Sequence, residues 1–326
     1  MPHASDWLLA PPIPGLGLAL GSDCFRTVVK FRLGMPLFSE PFPCTAVTSS
    51  GVVCDCQMDV YGDHALCCHN GASLLFRHNS IRDILGHAAR AAGLSAVVTE
   101  KKHQVEGSNA KPGDITVQHY HRGFATSAFD VTISHPLQKK YLDIAMTEAG
   151  VVAEDAHDRK LLKSLVVCQR EGIHFVPLAW ESTGGATETV HETIRKWTEM
   201  ESARSGYPAK FIRSNLYSQI SVSLQRSLAQ AVIDRQVVNL SLSLSLSSLA
   251  LSGDNDEGSR QRRDNKQLRA NSQLTARGRK LAPADDQSQP EPNAAAGSTK
   301  SANTDCVESN TQDSLRERPP DQSTCE

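Results

Sequence analysis

A short stretch rich in cysteine and histidine constrains this chain more than any other feature of its sequence. Four cysteines lie between residues 54 and 68, with His64 and His69 beside them. The first residues lack the basic segment and unbroken apolar run of a secretory signal, because Pro11, Pro12 and Pro14 interrupt them. We therefore expect a reducing compartment, where crowded cysteines indicate a metal site before a disulfide.

The spacing of these residues suits one tetrahedral zinc ion. The predicted ligands are Cys54, Cys56, His64 and Cys68, with Cys67 and His69 as substitutes for Cys68 in the fourth position. Four protein ligands leave no position for water or substrate, so the expected role of the zinc is structural. The gap of one residue between the first two cysteines is tighter than usual, and spacing alone leaves open a second interpretation: buried thiols with surface histidines.

Composition limits the remaining possibilities. Hydrophobic residues make up 39% of the 326 residues, enough for a folded core. With 34 basic and 36 acidic residues, the chain has no global positive field, so a nucleic-acid partner must be argued from a site. No stretch reaches the length of an apolar membrane span, and we expect no membrane partner.

The end of the sequence differs in composition from the rest. From Gly253 onward it is polar and poor in aromatic residues, which predicts a disordered tail. Residues 240–251 alternate leucine with serine, which leaves an exposed strand and low-complexity sequence as alternatives. Residues 260–280 hold eight basic side chains, either a nuclear-import or nucleic-acid arm or a solvated charge run. Nuclear localisation is the expectation.

Hydrophobic periodicity predicts an α/β core with the order α-β-β-β-α-β. The expected elements are a helix over Asn79–Ala92, strands over Ala96–Val105, Asp114–Tyr120 and Thr126–Ser134, a helix over Asp143–Arg170 and a strand over His174–Trp180. A short helix over Asp23–Leu33 should precede them. Helices over Ala186–Ala203 and Ala209–Val237 should cover an exposed edge or face of the sheet.

Two aspartates stand on neighbouring predicted strands. If these strands form a hairpin, Asp114 and Asp130 reach one face near the same end, an arrangement that can hold Mg²⁺ or Mn²⁺ for phosphodiester hydrolysis. Lys160 on the long helix is the candidate cation, and Glu100 on the first strand could complete the carboxylate cluster. Taken singly, a turn aspartate, a surface aspartate and a solvated lysine are the simpler interpretations.

In order along the chain, these motifs resemble a known family. The segments are CDCQMDVYGDHALCCHNGASLLFRHNSIRD, KPGDITV, FDVTISHPLQ, AHDRKLLKSLVVC and FVPLAWESTGG. They are similar to the C-terminal region of non-LTR retrotransposon reverse transcriptase proteins, a zinc knuckle followed by a restriction-like endonuclease of the PD-(D/E)XK fold. The resemblance covers about residues 5–238.

The resemblance implies a division of the chain and a fold. It implies a polymerase-to-knuckle connection over 1–43, a zinc knuckle over 44–77, an endonuclease domain with C-terminal helices over 78–238, and a low-complexity and disordered tail over 239–326. The implied fold class is α/β, a restriction-endonuclease-like core with a small zinc loop before it and two helices after it.

The resemblance also implies a catalytic set. Asp114 matches the PD aspartate, with Gly113 inserted after the proline, and Asp130 matches the (D/E) position. Thr132 stands where the XK lysine belongs. In the retroelement branch that lysine typically lies on the following helix, which indicates Lys160, with Lys163 as the substitute.

Nucleic-acid contacts are implied as well. Arg77 and His78 match an Arg-His-Asn element associated with DNA handling, and Arg82 and Lys111 are further candidates. The cysteines and histidine named above match the knuckle ligands, although the gap from His64 to Cys68 is one residue shorter than usual. DNA is the implied partner, and RNA of a parent element is a second.

Two functions remain open at this stage. The first is a Mg²⁺-dependent nicking endonuclease module without a reverse transcriptase, since the chain has no Tyr/Phe-X-Asp-Asp polymerase motif. The alternative is a catalytically inactive nucleic-acid-binding remnant of the same element, which Thr132 and the missing polymerase favour. An unexpressed genomic fragment is a third interpretation.

Overall fold

The computed structural model of this protein describes residues 1–70, 72–101 and 112–251, and for 237–251 the backbone alone. In chain order its helices and strands are α1 (Ser22–Arg32), β1 (Phe42–Pro43), β2 (Gln57–Met58), α2 (Asp63–Cys67), α3 (Ser73–Ala91), β3 (Ser95–Thr99), β4 (Ile115–Gln118), β5 (Thr126–Ser134), α4 (Leu142–Ala145), α5 (Val151–Arg170), β6 (Ile173–Glu181), α6 (Glu188–Ser205) and α7 (Ala209–Leu251). The α-β-β-β-α-β order is confirmed in α3, β3, β4, β5, α5 and β6.

A four-stranded mixed sheet forms the centre of the fold. Its spatial order is β3-β4-β5-β6. The first three strands pair antiparallel, and β6 pairs parallel with β5 after the crossover through α5. Both strands of that parallel pair are largely buried, as expected for the interior of an α/β protein.

Helices cover both faces of this sheet. Side chains on one face of β5 and β6, including Phe129, Val131 and Trp180, share a core with α3, α6 and α7. On the other face Ala128 and Phe175 pack with Cys168 of α5. The expectation that the two C-terminal helices cover the sheet is therefore confirmed, and they cover a face.

A second hydrophobic core lies beside the sheet. It joins the N-terminal segment and the cysteine-rich loop to the later part of α7, through Trp7, Val28, Met58, Leu66 and Leu228 among others. The same helix contributes Leu216, Ile220 and Leu224 to the core of the sheet. Helix α7 thus belongs to both cores.

Some predicted boundaries moved. Strand β5 has the limits predicted for it. Helix α3 begins at Ser73, six residues before the predicted start at Asn79. Ser80 does not cap the helix but lies inside it, where its hydroxyl donates to the carbonyl of Phe76 at 2.8 Å. Helix α3 therefore crosses the boundary expected at 77/78. The long helix begins at Val151, after Gly150 in the left-handed conformation at φ 91°.

The C-terminal end of the described chain also differs from expectation. Helix α7 continues to Leu251, across the boundary placed at 238/239, so the leucine-serine repeat is helical and not a strand. No helix in the described part of the chain is long and apolar enough to cross a membrane. The predicted disordered tail from Gly253, its basic segment and Lys111 lie outside the described residues.

Candidate metal centre and active site

A hairpin over residues 42–58 brings two distant cysteines together. The N–H of Cys44 donates to the carbonyl of Cys56 at 2.8 Å, and the N–H of Cys54 donates to that of Ala46 at 2.9 Å. These bonds continue the antiparallel register of β1 and β2. Diagonal neighbours across such a pair are within side-chain reach, so Cys44 lies beside Cys54.

Helix α2 and the residue that follows it supply the other two candidate ligands, His64 and Cys68. The carboxylate of Asp59 accepts the N–H groups of Tyr61, Asp63 and His64 at 2.9, 3.1 and 2.8 Å, which satisfies the otherwise unpaired donors at the start of the helix. His64 and Cys68 are four residues apart and therefore lie on the same side of this helical turn. Capping by Asp59 thus fixes the direction in which both ligands point.

The four donor atoms of Cys44, Cys54, His64 and Cys68 lie within 4.8 Å of one another. The Sγ atoms of Cys44 and Cys68 are 3.9 Å apart, and Cys54 Sγ is 3.5 Å from His64 Nε2. A tetrahedral zinc with its usual bond lengths requires edges of about 3.8 Å between sulfurs and about 3.6 Å between sulfur and nitrogen. The group can therefore hold a zinc ion, with all four positions filled by protein.

Without a metal, contacts among Cys44, Cys68 and His64 shift the pKa values of all three side chains. The contact with Cys68 lowers the pKa of the Cys44 thiol to about 3, while the same contact raises that of Cys68. Hydrogen bonding to Cys44 raises the pKa of His64 to about 10. Zinc binding would replace these protons with one dication, as metal sites built from thiols and imidazole require.

The four-residue group differs from the predicted ligand set at one position. Cys44 occupies the place that the spacing gave to Cys56, and Cys67 and His69 stay outside the four-residue group. The sequence did hold a signal: the segments before and after Gly51 have the apolar character of a hairpin, which in the observed register places Cys44 opposite Cys56 and diagonally beside Cys54. Spacing within one segment could not show a pairing across that turn.

The two aspartates lie at the same end of β4 and β5. Ile115 pairs with Phe129, and Asp114 immediately precedes Ile115 while Asp130 immediately follows Phe129. The N–H of Asp114 donates to the carbonyl of Phe129 at 2.8 Å, and its Oδ2 accepts the N–H of Val131 at 2.7 Å. Both carboxylates therefore lie at one end of the sheet, as the hairpin prediction required.

The glycine inserted before Asp114 has a steric reason. A Cβ at Gly113 would lie 2.9 Å from the carbonyl oxygen of Phe129 and 3.1 Å from the Cβ of Ala128. Any side chain at this position would push β4 away from β5. Gly113 thus allows the close approach that places Asp114.

Helix α5 brings a lysine to the same end. Its small residues Ala153 and Ala156 pack against Ala179 of β6, which lets the helix lie close to the sheet. The Nζ of Lys160 then reaches 2.6 Å from Oδ2 of Asp130. Lys163, the alternative from the sequence, is exposed to solvent.

Three more polar residues join this carboxylate cluster, which we define as Asp114, Asp130, Glu100, Lys160, His78 and Arg82. The Nε2 of His78 lies 3.0 Å from Oδ2 of Asp114, and Nη1 of Arg82 donates to Glu100 at 2.8 Å. The N–H of Glu100 donates to the carbonyl of Asp114 at 2.8 Å. Glu100 has a φ of 58°, a conformation that costs free energy in a non-glycine residue and is often found at functional sites.

The charges in the cluster are coupled. Burial raises the pKa of Asp130, against the opposing effect of Lys160. The hydrogen bond to Asp114 raises the pKa of His78 and so favours its protonated form. Asp114 therefore has His78 as its partner, and Asp130 has Lys160.

Arg77 does not reach solvent. Its side chain is buried in α3, where Nη2 donates to the carbonyl of Leu66 at 3.1 Å, and burial lowers its pKa to about 10. This contact ties the helix to the cysteine-rich loop. Its position favours a structural role over the phosphate contact expected from the sequence.

Comparison with known proteins assigns no family: neither a protein-family model nor a curated protein sequence matches this chain.

Proposed function

We propose that this chain is a metal-dependent DNA endonuclease module, with Asp114, Asp130 and Lys160 as its catalytic residues and a structural zinc beside the nuclease core. The observation that carries the proposal is the ion pair of Lys160 on α5 with Asp130 on β5, at the end of the sheet where Asp114 immediately precedes β4. The α-β-β-β-α-β order and the mixed sheet support the restriction-endonuclease-like fold that the sequence resemblance implies.

The donors suit a hard divalent cation. Asp114 and Asp130 offer carboxylate oxygens, the ligands that Mg²⁺ and Mn²⁺ prefer, and Mg²⁺ commonly takes only one or two carboxylates and fills its shell with water and phosphate oxygens. Oδ2 of Asp130 is buried and has no hydrogen bond of good geometry besides its ion pair. In the described residues no set of three His, Cys, Asp or Glu ligand atoms that includes these aspartates lies within 4.8 Å of one another, so water and substrate would have to complete the shell.

Each side chain has a proposed task. A bound Mg²⁺ would neutralise charge on the scissile phosphate. Lys160, whose side chain is 35% exposed, holds its ammonium group beside Asp130 and can orient the attacking water. His78 holds Asp114 in place, and Arg82 does the same for Glu100.

Nicking of supercoiled plasmid DNA by the zinc-loaded full chain tests this proposal. We expect relaxed circles in Mg²⁺ or Mn²⁺ and none in chelator. Asp114→Ala and Asp130→Ala should each reduce the rate at least about a hundred-fold while circular dichroism shows an unchanged fold. Folded variants that nick as fast as the parent chain would overturn the proposal.

A second function is favoured by one observation. Thr132 occupies the position of the missing lysine on the same face as Asp130, and each aspartate already has a basic partner within the chain, as in a site that no longer binds metal. The chain would then be a nucleic-acid-binding module without catalysis. Mg²⁺-independent DNA binding, equally strong in the double aspartate variant and never followed by nicking, would select this alternative.

A further inference from the structure

The loop that carries the buried zinc site holds a second set of metal-binding atoms. The ligand atoms of Cys54, Asp55 and Cys56 lie within 4.8 Å of one another. Cys54 belongs to this set and to the buried set with His64. The two sets therefore share one thiolate.

We propose that Cys54, Asp55 and Cys56 form a second site for a thiophilic divalent cation such as Zn²⁺ or Cd²⁺, bridged to the buried ion through the Cys54 sulfur. We call the two positions the buried site and the outer site. The outer site has three protein ligands, so its fourth position is open to water, unlike the closed buried site.

Local geometry supports ligation by three consecutive residues. The Sγ of Cys56 lies 3.6 Å from Oδ1 of Asp55, which already brings a soft and a hard donor together. The backbone N–H of Cys54 and the carbonyl of Cys56 are held by the hairpin, so the segment between them is fixed at both ends. A preformed arrangement lowers the entropy cost of binding.

Charge supports a second ion as well. A zinc ion with three thiolates and a neutral imidazole leaves the buried site with a net charge of about −1. Asp55 adds another negative charge beside it. A second dication would offset this repulsion, and its binding would displace the thiol proton of Cys56.

Burial makes the two sites unequal. Cys44 and Cys68 of the buried site are enclosed, whereas Asp55 is exposed and Cys56 is half-buried. The outer ion therefore exchanges with solvent and binds more weakly. We expect the outer site to fill only after the buried one.

Cadmium titration of the reduced full chain tests the proposal. Because Cys306 and Cys325 lie outside the described residues, both are changed to serine in the parent chain to remove their thiols. Equilibrium dialysis followed by metal analysis should give two Cd²⁺ per parent chain, the second bound more weakly. Thiolate-to-cadmium absorption should rise in two steps.

Variants assign each ion. Cys56→Ser should reduce the count from two to one and leave the tight step unchanged, and Asp55→Asn should weaken only the second step. Cys67→Ser, a neighbouring thiol outside both sets, should still bind two. A parent chain that binds only one ion would overturn the outer site. Loss of the tightly bound ion in Cys56→Ser would also overturn it, because this thiol would then be a ligand of the buried site. A parent chain that binds no ion would refute both sites.

Discussion

In the candidate zinc site, backbone pairing brings together cysteines that are far apart in the sequence. Cys44 lies ten residues before Cys54, and only the antiparallel register of the hairpin joins them. His64 and Cys68 could be predicted, because helical spacing is local. The missing ligand could not be predicted from spacing, since it depends on which residues face each other across a turn.

Cys44→Ser should therefore remove the structural zinc. We expect about one zinc per parent chain at limiting metal and almost none in the variant, because three remaining ligands leave the site open. Metal analysis after gel filtration measures the difference. Cys67→Ser is the matched control and should retain its zinc, and a zinc-bound Cys44→Ser chain would contradict the ligand set.

Gly113→Ala tests the close approach of the two aspartate-bearing strands. The added Cβ meets the backbone of Phe129 at 2.9 Å, so we expect a loss of about 1–3 kcal/mol in the free energy of unfolding. Denaturant titration measures it. Gly15→Ala, where no atom lies within 4 Å of the new Cβ, should change stability by less than about 0.5 kcal/mol. Equal effects at both positions would refute the steric explanation.

Among the elements, β5 has the limits predicted for it, whereas α3 begins six residues before its predicted start. Strand β5 is bounded by a turn and has strong strand-forming residues, so its limits of Thr126–Ser134 match the prediction. The start of α3 was misplaced because Asn79 and Ser80 are good capping residues, yet both lie inside the helix, where Ser80 donates to the carbonyl of Phe76 and Arg77 is buried. Capping preference alone therefore did not locate the boundary.

His174, the second residue of β6, should make the free energy of unfolding depend on pH. Burial, followed by the charges of His121 and Lys196, lowers the pKa of His174. The unfolded chain therefore binds a proton at this residue more readily, and its contribution to stability is lost as the pH falls below the unfolded value of about 6.5. Thermal unfolding of the parent and His174→Gln between pH 5 and 8 should give curves that differ mainly below pH 6.5. Parallel curves would contradict this account.

At the scale of the whole molecule, α7 joins the two hydrophobic cores. Leu216 and Leu224 pack with the sheet, and Leu228 and Val232 pack with the N-terminal segment and the cysteine-rich loop. Because α7 packs in both cores, loss of structure in the cysteine-rich loop should also lower the stability of the sheet.

Zinc removal should therefore destabilise the molecule as one unit. We expect a loss of at least about 2 kcal/mol, which lowers the Tm of a domain this size by about 4–8 °C, with a single transition before and after chelation. Hydrogen exchange should rise over residues 222–232. Two separate transitions, or unchanged exchange in this part of α7, would show that the cores are independent.

The central claim is that Lys160 supplies the charge that the sequence lacks at Thr132. These residues lie on different elements, but both belong to the face of the sheet that carries Asp130. The most direct test is the Mg²⁺-dependent nicking rate of Lys160→Ala, of Lys160→Ala combined with Thr132→Lys, and of Lys163→Ala as the control. We predict a loss of at least about a hundred-fold in the first, partial recovery in the second and the parental rate in the third. A fully active Lys160→Ala chain would contradict the claim.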